Sequence, residues 1–528
     1  MRPVESVLPA AASAAAATGL PVLLLVLTGH HDLATYAAFG TFTAMYGRHL
    51  PYRRRGGALA LVGAGFVACV VLGSLAALWL SGWAWVLAVA VVAAVAKVAC
   101  DAAGIGPPGA WMFVFAFATP SLVPTRPADV AVRAGLVVAG TVVGWLVAML
   151  GTWRDPSGPE RHATARALDA VADVVTAGPA ASTADWHRAH LAIRHARLDA
   201  NGCRAGVQPA LQSLLVLADE RLAGSVLEPT LPDGVAARDG ETLRASARRL
   251  RRGACRSAPP AARALPPVPP ARLPGADAHR SDARVLLMLN GLRVLVGAAA
   301  AGALALRLGL GHAAWAPISA TAVLQSTHTR MTLHRSIQRA LGTVGGVLIA
   351  AALFASHPGA VVVACLVVLM VFAVESLIGR NYALGVLFIT PLALLLSDLS
   401  EAADAHVLII DRLRDAGLGV TVGLAAGLLL SHPQAARSLR EGVRRCREAT
   451  AWAESLPPQQ RGPVAGDQLL QTLLDLREAE DTARGEPWPA GVPAVAVARV
   501  EQRGYRALAL VSGTGGPSNP AARPDLLG

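Results

Sequence analysis

Charge is scarce in this sequence. Only 16% of its 528 residues are Asp, Glu, Lys or Arg, where a soluble domain carries about 25%. With 54% hydrophobic residues and a mean hydropathy of +0.47, the deficit argues against a water-soluble chain and for a membrane protein. Lysine is almost missing: Lys97 stands alone and every other basic side chain is arginine. That bias fits a GC-rich coding sequence and carries no functional reading by itself. The net charge of +12 does not point to nucleic acid, because the arginines flank apolar runs, as they do beside a bilayer. The six cysteines (Cys69, Cys100, Cys203, Cys255, Cys365, Cys446) lie more than four residues apart, and none has metal-ligand spacing to a histidine. This pattern implies neither a disulfide framework nor a metal site. No GxxxxGK[ST] loop is present, which speaks against an ATP-driven pump. No HExxH, GxSxG or paired-carboxylate arrangement marks an enzyme, and no cofactor is implied.

Long apolar runs are abundant. Segments near the spanning length of about 17–25 residues, with some shorter ones, cover residues 7–28, 33–46, 57–80, 83–103, 110–123 and 130–151. A second set covers residues 285–308, 313–327, 337–355, 360–378, 382–397 and 413–431. The first run is too long for a signal peptide and lacks a cleavage site, so it reads as an uncleaved spanning helix. The two sets are copies. Arg48 pairs with Arg330, Arg53 with Arg335, Ala58 with Ala340, Leu59 with Leu341, Val62 with Val344 and Gly63 with Gly345, each at a separation of 282. A second landmark, Phe117-Ala118-Thr119-Pro120, matches Phe388-Ile389-Thr390-Pro391 at 271. Asp129, Gly135 and Leu136 match Asp411, Gly417 and Leu418, again at 282.

The fold class expected is an all-α polytopic membrane protein with two parallel repeats of about six helices each, spanning 1–152 and 284–432. Each repeat precedes a polar, amphipathic helical segment, 153–283 and 433–528, expected in the cytoplasm. A proline-rich linker at 258–275 closes the first, and a disordered tail begins at residue 513. Cytoplasmic termini put Arg48, Arg53, Arg54, Arg55, Arg330, Arg335, Arg339 and Arg380 in inside loops. The acidic stretch 398–411 then becomes an outside loop, in keeping with the positive-inside rule. Arg126 and Arg307 are exceptions.

Ionisable residues at membrane depth are costly and therefore informative. Glu375, inside an apolar run, is the leading candidate for a protonatable or ion-paired group. Lys97 and Asp101, one helical turn apart, can neutralise each other. Asp32, His31 and His312 open their segments, where they can serve as interfacial anchors. The arginine clusters have two readings: topology signals, or inward-facing forks that attract an anion. The short second and fifth segments of each half, with Pro120 and Pro391 in the fifth, mark either helix ends or an irregular binding region.

The stretch HAAWAPISATAVLQ, the arginines after it, and Arg335, Arg339, Gly342, Thr343, Gly345 and Gly346 resemble the membrane module of the fusaric acid resistance family. They are also similar to aromatic acid exporters and, more distantly, to aluminium-activated malate transporters. The first copy departs from the motif, with Gly57, Ala60 and Leu61 at the Arg339, Gly342 and Thr343 positions. The resemblance implies export of small, often aromatic, carboxylic acids across a bacterial inner membrane, driven by protons. On that reading the substrate pathway uses Arg335, Arg339, Arg48, Arg53, His312, Trp315, Thr390 and Pro391, and Glu375 or His312 couples protons. The expected partners are the lipid bilayer, an organic anion and a second copy in a homo-oligomer, with no nucleic acid. A passive anion channel and a non-transporting membrane scaffold are the alternatives.

Overall fold

The computed structural model describes residues 7–48, 50–106, 108–201, 203, 207–227, 233–253, 276–310, 314–326, 328–400, 405–430, 434–486 and 491–512. The linker at 258–275, His312 and the tail from 513 lie outside them. In chain order the helices are α1 (Val7–Leu27), α2 (Ala34–Thr41), α3 (Tyr52–Trp79), α4 (Gly82–Ala102), α5 (Trp111–Leu122), α6 (Pro127–Met149) and the short α7 (Gly151–Arg154). Next come α8 (Gly158–Ala177), α9 (Thr183–Ala200), α10 (Gln208–Leu227) and α11 (Asp233–Arg251). The second apolar set forms α12 (Ala276–Arg307), α13 (Trp315–Val323), α14 (Thr329–Phe354), α15 (Ala360–Leu377), α16 (Tyr382–Ser400) and α17 (Ala405–Leu429). The chain closes with α18 (Gln434–Ser455), α19 (Pro463–Arg484) and α20 (Ala494–Ser512). No strand occurs among the described residues.

Two compact units result, each built from two chain segments: Met1–Arg154 with Asp277–Ser431, and Asp155–Ala276 with His432–Gly528. In the first unit α1–α6 and α12–α17 are two six-helix copies. Eight of these twelve helices are long and apolar enough to cross a membrane. Their outward faces carry large apolar side chains such as Leu24, Leu61, Trp79, Leu348 and Leu369, the composition a lipid-facing surface requires. Helix α13 has nine residues, about 14 Å of rise against a hydrocarbon core of about 30 Å, so it reaches only part of the way.

The copies interlock. Helix α1 packs on α15, with Gly19 against Val368, and α12 packs on α4, with Gly291 against Val98 and Gly302 against Val86. Likewise α2 packs on α16, where Thr35 Oγ1 donates to Leu396 O at 2.7 Å, and α13 packs on α5. The first and second helices of each copy therefore rest on the fourth and fifth of the other.

Glycines set the closest approaches. A Cβ on Gly40 of α2 would come within 2.2 Å of Val137 O on α6, and one on Gly419 of α17 within 2.2 Å of Ala316 O on α13. Small residues let helix backbones touch where lipid gives no hydrophobic drive. The proline in the fifth segment does not interrupt α16, which runs on through Pro391. Proline frees and crowds the carbonyl four residues back, here Leu387 O, and Gly346 of α14 lies against that oxygen and against Thr390 and Pro391.

Two boundary expectations fail for one reason: charge-rich ends were read as loops. Helices α3 and α14 begin before the expected starts of 57 and 337, at Tyr52 and Thr329, so Arg53 and Arg335 are helical, and Arg339 lies ten residues into α14. Helix α17 begins at Ala405, which places Asp411 in a helix and not in an outside loop. Lone charges on a helix can turn inward while the lipid face stays apolar.

In the second unit α8, α9, α10 and α11 pack around Leu168, Val171, Ile193, Leu211 and Leu215. Helices α18, α19 and α20 pack around Leu439, Leu469, Leu473, Tyr505 and Leu508. Helix α10 meets α20, with Trp186 of α9 beside Ala223, Val226 and Ala509. The Tyr505 ring stacks on His190 at 5.4 Å, and its hydroxyl is 3.2 Å from His187 Nδ1.

Candidate functional site

Helices α14 and α17 run antiparallel, since the hydroxyl of Thr329, at the start of α14, meets Gly427 O near the end of α17 at 3.5 Å. Each brings an arginine into the interior of the second repeat. Arg339 is the eleventh residue of α14 and Arg412 the eighth of α17, so both guanidiniums lie well inside the helical layer. They are 1% and 2% exposed. Arg339 donates from Nη2 to Ser319 Oγ of α13 at 3.2 Å and from Nη1 to the Tyr382 hydroxyl of α16 at 3.3 Å. The Arg412 guanidinium lies over the Trp315 ring of α13, 3.7 Å from its centroid. Phe115 of the first repeat closes against Trp315 at 5.3 Å.

Two carboxylates share this interior. Asp415, one turn beyond Asp411 on α17, is 0% exposed, and Asp411 is buried too. Arg412 is within electrostatic range of both Arg339 and Asp415, and Asp415 of Asp411. The charges are incompletely matched by protein groups. Arg339 Nε, Arg412 Nε and Nη1, both carboxylate oxygens of Asp415, and the hydroxyls of Thr343 and Thr390 are buried without a hydrogen-bond partner. A charge at a membrane helix centre costs roughly 2.5–3.5 kcal/mol, and an unmatched buried polar group a further 1–3 kcal/mol or so. Packing alone does not account for two like charges kept there. A guanidinium with free N–H groups is instead suited to a carboxylate, which accepts two parallel hydrogen bonds.

Of the residues singled out from sequence, Arg339 and Trp315 are in this cluster, and Thr390 lies behind Gly346 with Pro391. Arg335, half-buried one turn before Arg339, covers the Tyr382 ring at 5.3 Å. Tyr382 thus links the two arginines. Arg48 and Glu375 meet elsewhere, in an ion pair that joins the two repeats. Arg53 is exposed on α3, and His312 lies outside the described residues. Sequence reasoning missed Arg412 and Asp415. Their signal was present: Leu408, Asp411, Arg412, Asp415, Ala416 and Gly419 recur at helical spacing, and all six are buried, Gly419 against α13.

The first repeat has no equivalent. At a separation of 282 it carries Gly57 for Arg339, Val130 for Arg412 and Arg133 for Asp415. Arg133 is already engaged, over the Tyr36 ring at 4.9 Å and donating to Thr125 Oγ1 at 2.7 Å. Two surface grooves lie away from the cluster. One, of about 450 Å³, runs along α18 between Arg440, Arg444 and Arg447, and another, of about 430 Å³, along α12 between Arg284 and Leu292. The buried charges are closed over on all sides.

Interlocked repeats, apolar outer faces and an enclosed charged site in one copy define a multi-pass membrane protein. Residues 299–426 match the family described as fusaric acid resistance protein-like, a span that holds Arg339, Arg412 and Asp415. The chain is also similar to a protein named "Uncharacterized membrane protein YvaC" from Bacillus subtilis (strain 168), with 29% identity over 534 aligned residues, covering 93% of this chain and 83% of that protein. No solved structure matches.

Proposed function

We propose that the protein is a secondary transporter that exports small organic anions, aromatic carboxylic acids foremost, across the bacterial plasma membrane. The observation that carries this reading is the pair Arg339 and Arg412, buried together with unpartnered donors beside an aromatic wall of Trp315 and Phe115. The family match over the same helices supports transport over catalysis. Enclosure of the site favours alternating access over an open pore, since an anion reaches the guanidiniums only after helices part. Outward direction rests on the match to a family described by resistance, and the arginines that begin α3 and α14 orient those ends to the cytoplasm by the positive-inside rule.

The test is flux of labelled benzoate into inside-out vesicles containing the protein, beside malate and chloride. Saturable benzoate flux that competes with other aromatic carboxylates supports the reading. Chloride currents that follow the electrochemical gradient without saturation would replace it with a passive channel. The absence of flux for every anion would leave a scaffold.

A further inference from the structure

We infer that Asp415 is the proton-binding group of this site, taking up one proton for each carboxylate that binds to Arg339 and Arg412. The inference rests on the anion-site reading above and adds the coupling ion to it. With no anion bound, the enclosed charges are Arg339, Arg412, Asp411 and Asp415, which sum to zero. A carboxylate added there leaves one uncompensated negative charge in a low-dielectric interior, a costly state. One proton from hydronium or a buffer acid in solution, whose conjugate base stays outside, is added to a carboxylate oxygen of Asp415 and returns the sum to zero. Bond and charge balance are then complete: one anion and one proton enter, an O–H bond forms on Asp415, and nothing leaves. The new O–H is a donor where the site otherwise offers the incoming anion only N–H and hydroxyl groups.

Asp415 fits this role better than the other acids. Its side chain is fully buried and neither oxygen has a hydrogen-bond partner. Asp411 has an interaction partner of its own, and Glu375 is tied to Arg48. Charged groups around Asp415 are few. Its own helix contributes Asp411, Arg412 and the exposed Arg414, and α14 contributes Arg339. Helix α13 has no titratable residue, and α16 has Tyr382 at its start and Asp398 near its end. On α12, Arg293 donates to Ser326 O and Thr332 Oγ1, and Arg307 covers Trp83 of α4. Neither offers Asp415 a hydrogen bond.

The experiment is calorimetric titration of the full-length protein in lipid nanodiscs with benzoate, in two buffers of different ionisation enthalpy, across a pH series. Wild type is expected to take up about one proton per benzoate, with affinity falling about tenfold per pH unit on the alkaline side. Asp415→Asn is expected to bind benzoate with no proton uptake and no pH slope. Asp415→Glu and Glu375→Gln are expected to keep the uptake. Benzoate binding by wild type without proton uptake overturns this inference and leaves the anion site standing. Uptake that survives in Asp415→Asn, or disappears in Glu375→Gln, overturns the assignment to Asp415. If neither wild type nor any variant binds benzoate, the anion-site reading falls and takes this inference with it. Should Asp415→Asn fail to fold, the wild-type, Asp415→Glu and Glu375→Gln titrations still decide.

Discussion

Lys97 and Glu375 occupy the same position in their respective repeats, 278 residues apart, with opposite charge. The burial pattern fixes the correspondence: Trp85, Val89, Ala93 and Lys97 are buried on α4 as Val363, Val367, Val371 and Glu375 are on α15. Each side chain reaches the far end of the other repeat's short second segment. Lys97 Nζ donates to Gln325 O at 3.3 Å while paired with Asp101 at 2.7 Å, and Glu375 pairs with Arg48. A single inward charge per repeat thus ties the fourth helix of one copy to the second of the other.

These ties hold the repeats together at one end of the membrane unit, so breaking one loosens the structure without touching the anion cluster. Arg48→Ala and Glu375→Ala are each expected to lower the thermal midpoint in detergent, because each removes the ion pair that joins the two repeats. Replacing both by leucine is expected to recover most of the loss, since apolar residues often substitute for a buried pair at little cost. The coupling in the double-mutant cycle should be about 1–3 kcal/mol. A coupling near zero would mean that the pair contributes nothing to repeat association.

Helix approach gives a steeper contrast. Gly40→Ala puts a methyl group where the Val137 carbonyl and the Thr141 amide already sit, and it is expected to cost about 1–3 kcal/mol by overpacking. Gly57→Ala meets nothing within 4 Å and is expected to be neutral or mildly stabilising, as alanine is the better helix former. Thermal melts of the two variants side by side check this.

The second unit should respond to acid through His190. Desolvation against Tyr505, with the nearby charges of Arg197 and His187, pushes its imidazole down to about 3. The unfolded chain then binds a proton that the folded unit refuses. Stability is complete above the ordinary histidine value of about 6.5 and falls as pH drops towards 3, by at most about 1.4 kcal/mol per pH unit. Hydrogen exchange in α9 should therefore accelerate between pH 7 and 5.5 once the intrinsic rate is corrected. His190→Phe should reduce that change. An unchanged pH response in the variant would assign it to other groups.

Arg335 and Arg339 stand one turn apart, but only Arg339 is enclosed. Arg335→Gln is expected to raise the half-saturating benzoate concentration while leaving the limiting flux within about twofold. Arg339→Gln is expected to cost at least about tenfold in flux, the equivalent of one charge-assisted hydrogen bond. Concentration series in the vesicle assay separate the two effects.

The repeat and its twelve apolar segments could be read directly from the chain, because lipid requires long apolar faces and the copies keep Arg48/Arg330 and Phe117/Phe388 in register. The short second helices were also legible as short runs. The centre of the site was only half visible. Arg339 stood out through its motif, whereas Arg412 lay between the expected acidic loop and the apolar segment 413–431, and Asp415 lay at the charged start of that segment. Linear hydropathy cannot distinguish a charge turned to water from one turned inward, and the direction is decided by α13 and α14 closing over that face of α17. Glu375 was recognised as a buried charge, but its partner Arg48 is 327 residues away in sequence and only the interlock brings them together.

The central claim is that the second repeat alone binds the anion, through Arg339 and Arg412. Its most direct test compares initial benzoate flux in Arg412→Gln and in Arg133→Gln, which stands near the equivalent place in the first repeat, with each rate normalised to correctly folded protein. The account predicts at least about a tenfold loss for Arg412→Gln and a rate within about twofold of wild type for Arg133→Gln. Equal losses in the two variants, or full flux in Arg412→Gln, would contradict it.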